Sequence, residues 1–177
     1  MELMTERLRL REFVADDWRA VLAYQQDPLY LRYYAWTERT PEAVQEFVGW
    51  FLAQQQATPR DKYQFAVTLK ATGALIGNCG VRRTAPGATE ASLGYELAPA
   101  HWGQGYATEA ARAVLAFGFS ALGVHRIEAE CVAENTGSAR VLEKIGLRLE
   151  GRLRHKEYFK GRWWDQLIYA VLAGERA

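Results

Sequence analysis

The chain has 177 residues, 49% hydrophobic and 24% charged, with Lys+Arg 22 against Asp+Glu 21. That length suits one domain over residues 1–177 with a sizeable core, and 15 Gly, 5 Pro and 2 Cys exclude disordered, collagen-like and disulfide-scaffold classes. A formal net charge of +1 gives no overall field to recruit nucleic acid or an anionic membrane.

In chain order, residues 5–13 predict a strand with Leu8 and Leu10 on one face and Arg7, Arg9 and Arg11 on the other. A helix is expected over 16–26, capped by Asp16 or Asp17, and a second opens with Pro41 after Thr40. Strands are predicted at 63–70, 74–81 and 90–97, and a helix over 107–122 with Ala110, Ala111, Val114 and Phe117 on one face. A strand at 125–132 and a helix at 135–145 follow, the latter closed by Gly146. Two strands, 147–158 and 163–173, complete the pattern; the second is apolar on both faces and reads as a buried central strand. Three strands in a row call for hairpins, and the later strand–helix–strand order for a parallel pair. A mixed sheet follows.

No uncharged apolar run approaches the roughly 20 residues of a bilayer span, and the charged start carries no signal-type core, so a cytoplasmic protein is expected. Cys79 and Cys131 lie far apart and read as small core residues of a reduced protein. His101, His125 and His155 are scattered, predicting no metal site.

The most informative stretch is Trp102-Gly103-Gln104-Gly105-Tyr106-Ala107-Thr108, at the mouth of the alanine-rich helix. Two glycines permit a tight turn and a close approach, while the first-turn N–H groups and the macrodipole suit a diphosphate. Thr108 stands where a dinucleotide fingerprint needs a third glycine, and no Gly-Lys-Ser/Thr triphosphate loop is present. An ordinary helix-entry turn remains the alternative.

A second segment, Asn135-Thr136-Gly137-Ser138-Ala139-Arg140, opens the next helix. Both segments resemble the GCN5-related N-acetyltransferases (GNAT), specifically the branch that acetylates ribosomal-protein N-termini. Thr5-Glu6-Arg7-Leu8-Arg9-Leu10-Arg11, Leu75-Ile76-Gly77-Asn78-Cys79-Gly80, Leu93-Gly94-Tyr95-Glu96-Leu97 and Glu157-Tyr158-Phe159-Lys160-Gly161-Arg162-Trp163 extend the resemblance over nearly the whole chain.

The resemblance implies a GNAT fold: a mixed, mostly antiparallel sheet of about seven strands with a splayed parallel pair, 90–97 and 125–132, flanked by about four helices. It implies acetyl-CoA as cofactor, with Trp102, Gly103, Gln104, Gly105, Tyr106, Ala107 and Thr108 around the diphosphate. Leu97 would meet the pantetheine amides, Asn135 and Ser138 the arm, and Arg140 the 3′-phosphate. Asn135 is equally a helix N-cap, and Ser138 an ordinary first-turn residue. Leu142 stands where many members carry a thiolate-protonating tyrosine; the ribosomal branch implicates Ser138 instead. Glu157 is implied as the base, with Glu96 its competitor and an ion pair to Lys156 or Arg154 as its ordinary alternative. Tyr33, Tyr34, Trp36, Tyr95 and Tyr158 would line the acceptor groove, or else fill core or a dimer contact.

An N-terminal α-amine titrates near 7.7–8.0 and a lysine near 10.4, so modest base equipment favours the former. The acceptor is therefore expected to be a protein or peptide N-terminus. A small amine, such as an antibiotic, polyamine or amino-acid derivative, and a CoA-binding module without catalysis are the alternatives. A monomer or a homodimer is expected.

Overall fold

Phe65, Ala66 and Val67 are consecutive and all buried, so both faces of their strand must be covered. Alternation separates them: Phe65 and Val67 join one apolar cluster, Ala66 another. The computed structural model describes residues 1–175 and extends this pattern over an eight-stranded sheet. Its strands are β1 (Glu2–Met4), β2 (Leu8–Glu12), β3 (Lys62–Leu69), β4 (Leu75–Arg83), β5 (Glu90–Leu97), β6 (Arg126–Val132), β7 (Arg148–Phe159) and β8 (Arg162–Leu172). They lie in the order β1-β2-β3-β4-β5-β6-β8-β7. Only β5 and β6 are parallel; every other neighbouring pair is antiparallel.

The helices are α1 (Trp18–Gln25), α2 (Pro28–Leu31), α3 (Pro41–Gln55), α4 (Tyr106–Leu122) and α5 (Thr136–Lys144). The first three cover one face through Val21, Tyr24, Tyr30, Val44, Val48 and Phe51, joined by Phe13 just after β2. On the other face, α4 and α5 bury Ala110, Ala111, Val114, Phe119, Leu142 and Ile145. The long helix lies close to the sheet: a Cβ at Gly118 would stand 2.9 Å from a Val81 methyl. Thr40 caps α3, its side chain accepting from the Ala43 N–H at 3.2 Å, with Pro41 in the first turn.

Two counts differ from the sequence reading. The expected strand 5–13 is the second arm of a hairpin, because the Thr5 side chain accepts from the Leu8 N–H at 3.1 Å and turns the chain back onto Glu2–Met4. That gives eight strands. A short α2 arises from Asp27, which accepts from the Leu29 N–H at 2.8 Å ahead of Pro28, and makes five α-helices. The predicted 16–26 helix begins as a 3-10 turn at Ala15–Asp17, where Asp17 accepts the Val14 N–H at 2.8 Å as in a capping box and is also bound by Arg11 at 2.7 and 2.8 Å.

The parallel pair is joined only where Glu90–Ser92 meets Arg126–Glu128. Arg126 ties that end, donating to Glu90 at 2.5 Å and to Glu150 at 2.7 Å. Beyond it the strands diverge into an open V. The apolar run of β8 lies between β6 and β7, paired on both sides but second from the edge of the sheet and not central as its pattern suggested.

Candidate active site

One wall of the V is the start of α4. Gly103 and Gly105 adopt φ of +74° and +83°, left-handed values that a side chain resists. Among the described residues, the main-chain N–H groups from Gly103 to Thr108 find no acceptor. The positive end of a 17-residue helix is thus presented with its donors unspent. Trp102 fastens this loop to the strand end, its indole N–H donating to the Leu97 carbonyl at 2.7 Å. Ala98 donates to Ile76 on β4 at 2.7 Å, so alternation turns the Leu97 N–H the opposite way, toward the V.

Across the opening, Asn135 caps α5 by accepting from the Ser138 N–H at 3.2 Å. The Tyr95 and Ser138 hydroxyls are 2.8 Å apart, and Tyr95 also donates to the Ser138 carbonyl at 3.0 Å. Burial raises the Tyr95 pKa, keeping that hydroxyl protonated. Cys131 lies beside Ser138, its thiol likewise pushed up by burial. Arg140 is exposed, and Leu142 is buried in the core at 1% exposure.

The opposite face of the sheet holds Glu96. One carboxylate oxygen accepts from the Tyr24 hydroxyl at 2.6 Å, the Gln25 amide at 2.8 Å and the Asn78 amide at 2.6 Å. The other accepts from the Tyr30 hydroxyl at 2.5 Å. Burial, then the carboxylate's charge, drives both phenols well above their ordinary range. A ring stack leads outward from this floor: Tyr30 on Tyr34 and Tyr34 on Trp36, each at 4.7 Å. Arg39 lies 4.8 Å over Trp36 and donates to Gln25 at 2.8 Å.

Glu157 is exposed on β7, directly opposite Trp164. Among the described residues its side chain has no hydrogen bond or ion pair, so the alternative pairing with Lys156 or Arg154 is not formed. Cross-strand partners share a face, so Glu157 looks toward the cluster of Val132, Phe159, Trp164 and Tyr33. Tyr33 joins α2 to this hairpin: its hydroxyl donates to the Glu134 carbonyl at 3.0 Å and its ring meets Trp164 edge-on. Lys160 reaches back to the Leu31 carbonyl at 2.6 Å.

The expected acceptor rings therefore divide. Tyr33, Tyr34 and Trp36 stand together on the Glu96 and Glu157 face. Tyr95 points to the other face, against Ser138. Tyr158 pairs with Trp163, one residue out of step with Glu157, so it turns away from Tyr33 as well. Sequence reasoning missed Tyr24, Gln25, Tyr30 and Asn78 as partners of Glu96. Two of them left a signal: Gln25 and Asn78 are polar residues at buried, apolar-periodic positions.

The fold thus presents an open V between parallel strands with unspent helix N-terminal donors at its mouth. The acetyltransferase (GNAT) domain family matches residues 7–148. The chain is 35% identical over 175 residues to "Uncharacterized N-acetyltransferase YnaD" of Bacillus subtilis (strain 168), covering 99% of each. A GNAT-family acetyltransferase from Bacillus anthracis superposes with a TM-score of 0.85 at 34% identity, covering 99% of this chain and 100% of that one. The ribosomal L7/L12 α-N-protein acetyltransferase RimL, solved with coenzyme A, shares the fold at TM-score 0.85 and 19% identity, covering 97% and 98%. The chain belongs to the GNAT family and is an acetyl-CoA-dependent N-acetyltransferase.

Proposed function

We propose that the acceptor is the N-terminal α-amine of a protein or peptide, and that it enters between α2 and the β7–β8 hairpin. The charge of that rim carries the reading. Arg32, Lys160 and Arg162 are exposed there, Lys160 on the Leu31 carbonyl and Arg162 paired with Glu134. Among the described residues the Glu157 side chain has no ion pair on this rim. A polyamine brings several positive charges and would meet repulsion; a peptide brings one charged amine and can follow it with acidic side chains.

The donor side fits acetyl-CoA by its own chemistry. The unspent N–H groups from Gly103 to Thr108 would hold the diphosphate, with Trp102 bracing the loop, and the inward Leu97 N–H would meet the pantetheine arm. Asn135, Ser138 and Arg140 line the other wall. When bound, acetyl-CoA supplies an activated thioester carbonyl. Glu157 takes a proton from the incoming ammonium, directly or through water, and Glu96 with its ring stack seats the amine. Ser138, whose O–H is donated to Tyr95 when the Tyr95 proton lies on the Ser138 carbonyl, would turn that O–H toward the departing sulfur.

Spermidine acetyltransferases also share this fold. The stack of Tyr30, Tyr34 and Trp36 beside Glu96 would suit a small singly charged amine, which is the second reading. Thiol release from acetyl-CoA against parallel panels of peptides and small amines decides the matter. Turnover on peptides with acidic second and third residues supports the proposal. Turnover confined to small amines overturns it.

A further inference from the structure

The opening Thr5-x-Arg7 segment reaches 102 residues along the chain to grip α4. Glu109, in the first turn of that helix, accepts from the Thr5 hydroxyl at 2.6 Å, the Arg7 N–H at 2.8 Å and the Arg7 Nε at 2.8 Å. The same guanidinium donates through Nη1 to the Gln104 carbonyl at 2.9 Å and lies 4.4 Å over the Tyr106 ring. One side chain thus ties the helix start and the glycine loop together. Lys70 backs it, donating to the Thr5 carbonyl.

The contact to Gln104 has a stereochemical consequence. A trans peptide is planar, with its C=O and N–H pointing in opposite directions. Holding the Gln104 carbonyl against Arg7 therefore turns the Gly105 N–H to the opposite side. Gly105 is left-handed and tolerates either orientation of that peptide, so something outside the loop must choose.

We propose that Arg7, anchored by Glu109, is a positioning residue that sets the Gln104–Gly105 peptide so that the Gly105 N–H faces the diphosphate of acetyl-CoA. The inference rests on the reading of Gly103–Thr108 as the diphosphate cradle, proposed above. Arg7 acts through the loop, by preorganising donors that would otherwise have to be ordered on binding.

Three full-length variants test it by calorimetric titration with CoA and by steady-state kinetics with acetyl-CoA and with S-acetylpantetheine, which lacks the diphosphate. Arg7→Ala should weaken CoA binding and raise the acetyl-CoA KM about tenfold, the scale of one hydrogen bond to a charged group. Its kcat, its acceptor KM and its turnover of S-acetylpantetheine should stay at wild-type values. Arg7→Lys keeps the charge but cannot span Glu109 and Gln104 together, so it should fall between the two; it carries the same comparison if the alanine variant does not fold. Equal losses on both thioesters, or unchanged CoA affinity in both Arg7 variants, overturn the positioning role. Gly105→Val tests the cradle as a whole, because it strains a φ of +83° and brings a Cβ to 3.3 Å from the Arg7 guanidinium. It should lose CoA binding outright, and retained affinity there rejects the cradle itself.

Discussion

Asn78 and Glu96 stand directly opposite each other on β4 and β5, and the Asn78 amide donates to the carboxylate at 2.6 Å. The register continues across the sheet: Ala66, Asn78 and Glu96 form a row beneath α1–α3, and Phe65, Cys79 and Tyr95 form the next row beneath α4. Two consecutive residues therefore serve opposite sides of the V. Glu96 faces the tyrosine floor, and Tyr95 faces Ser138.

Replacing that amide with a carboxylate should be costly. Asn78→Asp would set two negative groups together in a buried row and is expected to destabilise the fold by about 3 kcal/mol at neutral pH. Like charges raise the folded-state pKa of the pair above its unfolded value. The lost stability should therefore return below about pH 4, where the pair holds its proton, and disappear as pH rises through the raised value. Urea titrations at several pH values measure this.

The two carboxylates should separate kinetically. Glu157→Gln is expected to lower kcat about 100-fold near pH 7, with CoA affinity unchanged and the loss shrinking at high pH as the amine deprotonates itself. Glu96→Gln should mainly raise the acceptor KM. Its amide can present oxygen to Tyr24, Gln25 and Asn78 while Tyr30 reverses to accept, so the network still closes. Unaltered kinetics in Glu157→Gln beside a dead Glu96→Gln would exchange the assignments.

Ser138→Ala should cost about 100-fold in kcat and Tyr95→Phe about tenfold, with little change in acetyl-CoA KM. Because burial holds the Tyr95 phenol above its ordinary value of 10.0, its titration should add no descending limb to the pH–rate profile up to pH 10. Rates for both variants across pH 7–10 check this.

The reach of the sequence can be judged at particular residues. Gly103 and Gly105 were legible because a left-handed turn before a helix leaves a residue-level mark, and β5 is read at 90–97, where it lies. The floor around Glu96 was not. Its donors come from α1, α2 and β4, 18 to 72 positions away, and only the fold sets them around one carboxylate. The N-terminal hairpin was hidden for a local reason: the Thr5 side chain makes the turn without glycine or proline. On β7, the register shift between Leu153 and Glu157, with His155 at φ +51°, decides which face Glu157 takes, and no alternation pattern announces it.

The latch on α4 should also appear in acid. Burial pushes Glu109 up, but bonds from the Thr5 hydroxyl, the Arg7 N–H and the guanidinium outweigh it and hold the carboxyl below its ordinary 4.5. A depressed folded-state pKa contributes stability above the unfolded value, which is lost as pH falls through the folded one. Wild type should therefore exceed Glu109→Gln in Tm at pH 7, and the gap should close below about pH 4. A gap independent of pH would count against a charged latch.

The account stands on the unspent main-chain donors that open α4. A crystal structure of the chain bound to acetyl-CoA tests them directly. Diphosphate oxygens should lie within about 3.2 Å of the Gly105, Tyr106 and Ala107 nitrogens, with the Gln104 carbonyl still on Arg7. A diphosphate seated elsewhere, or a Gln104–Gly105 peptide turned the other way, would contradict it.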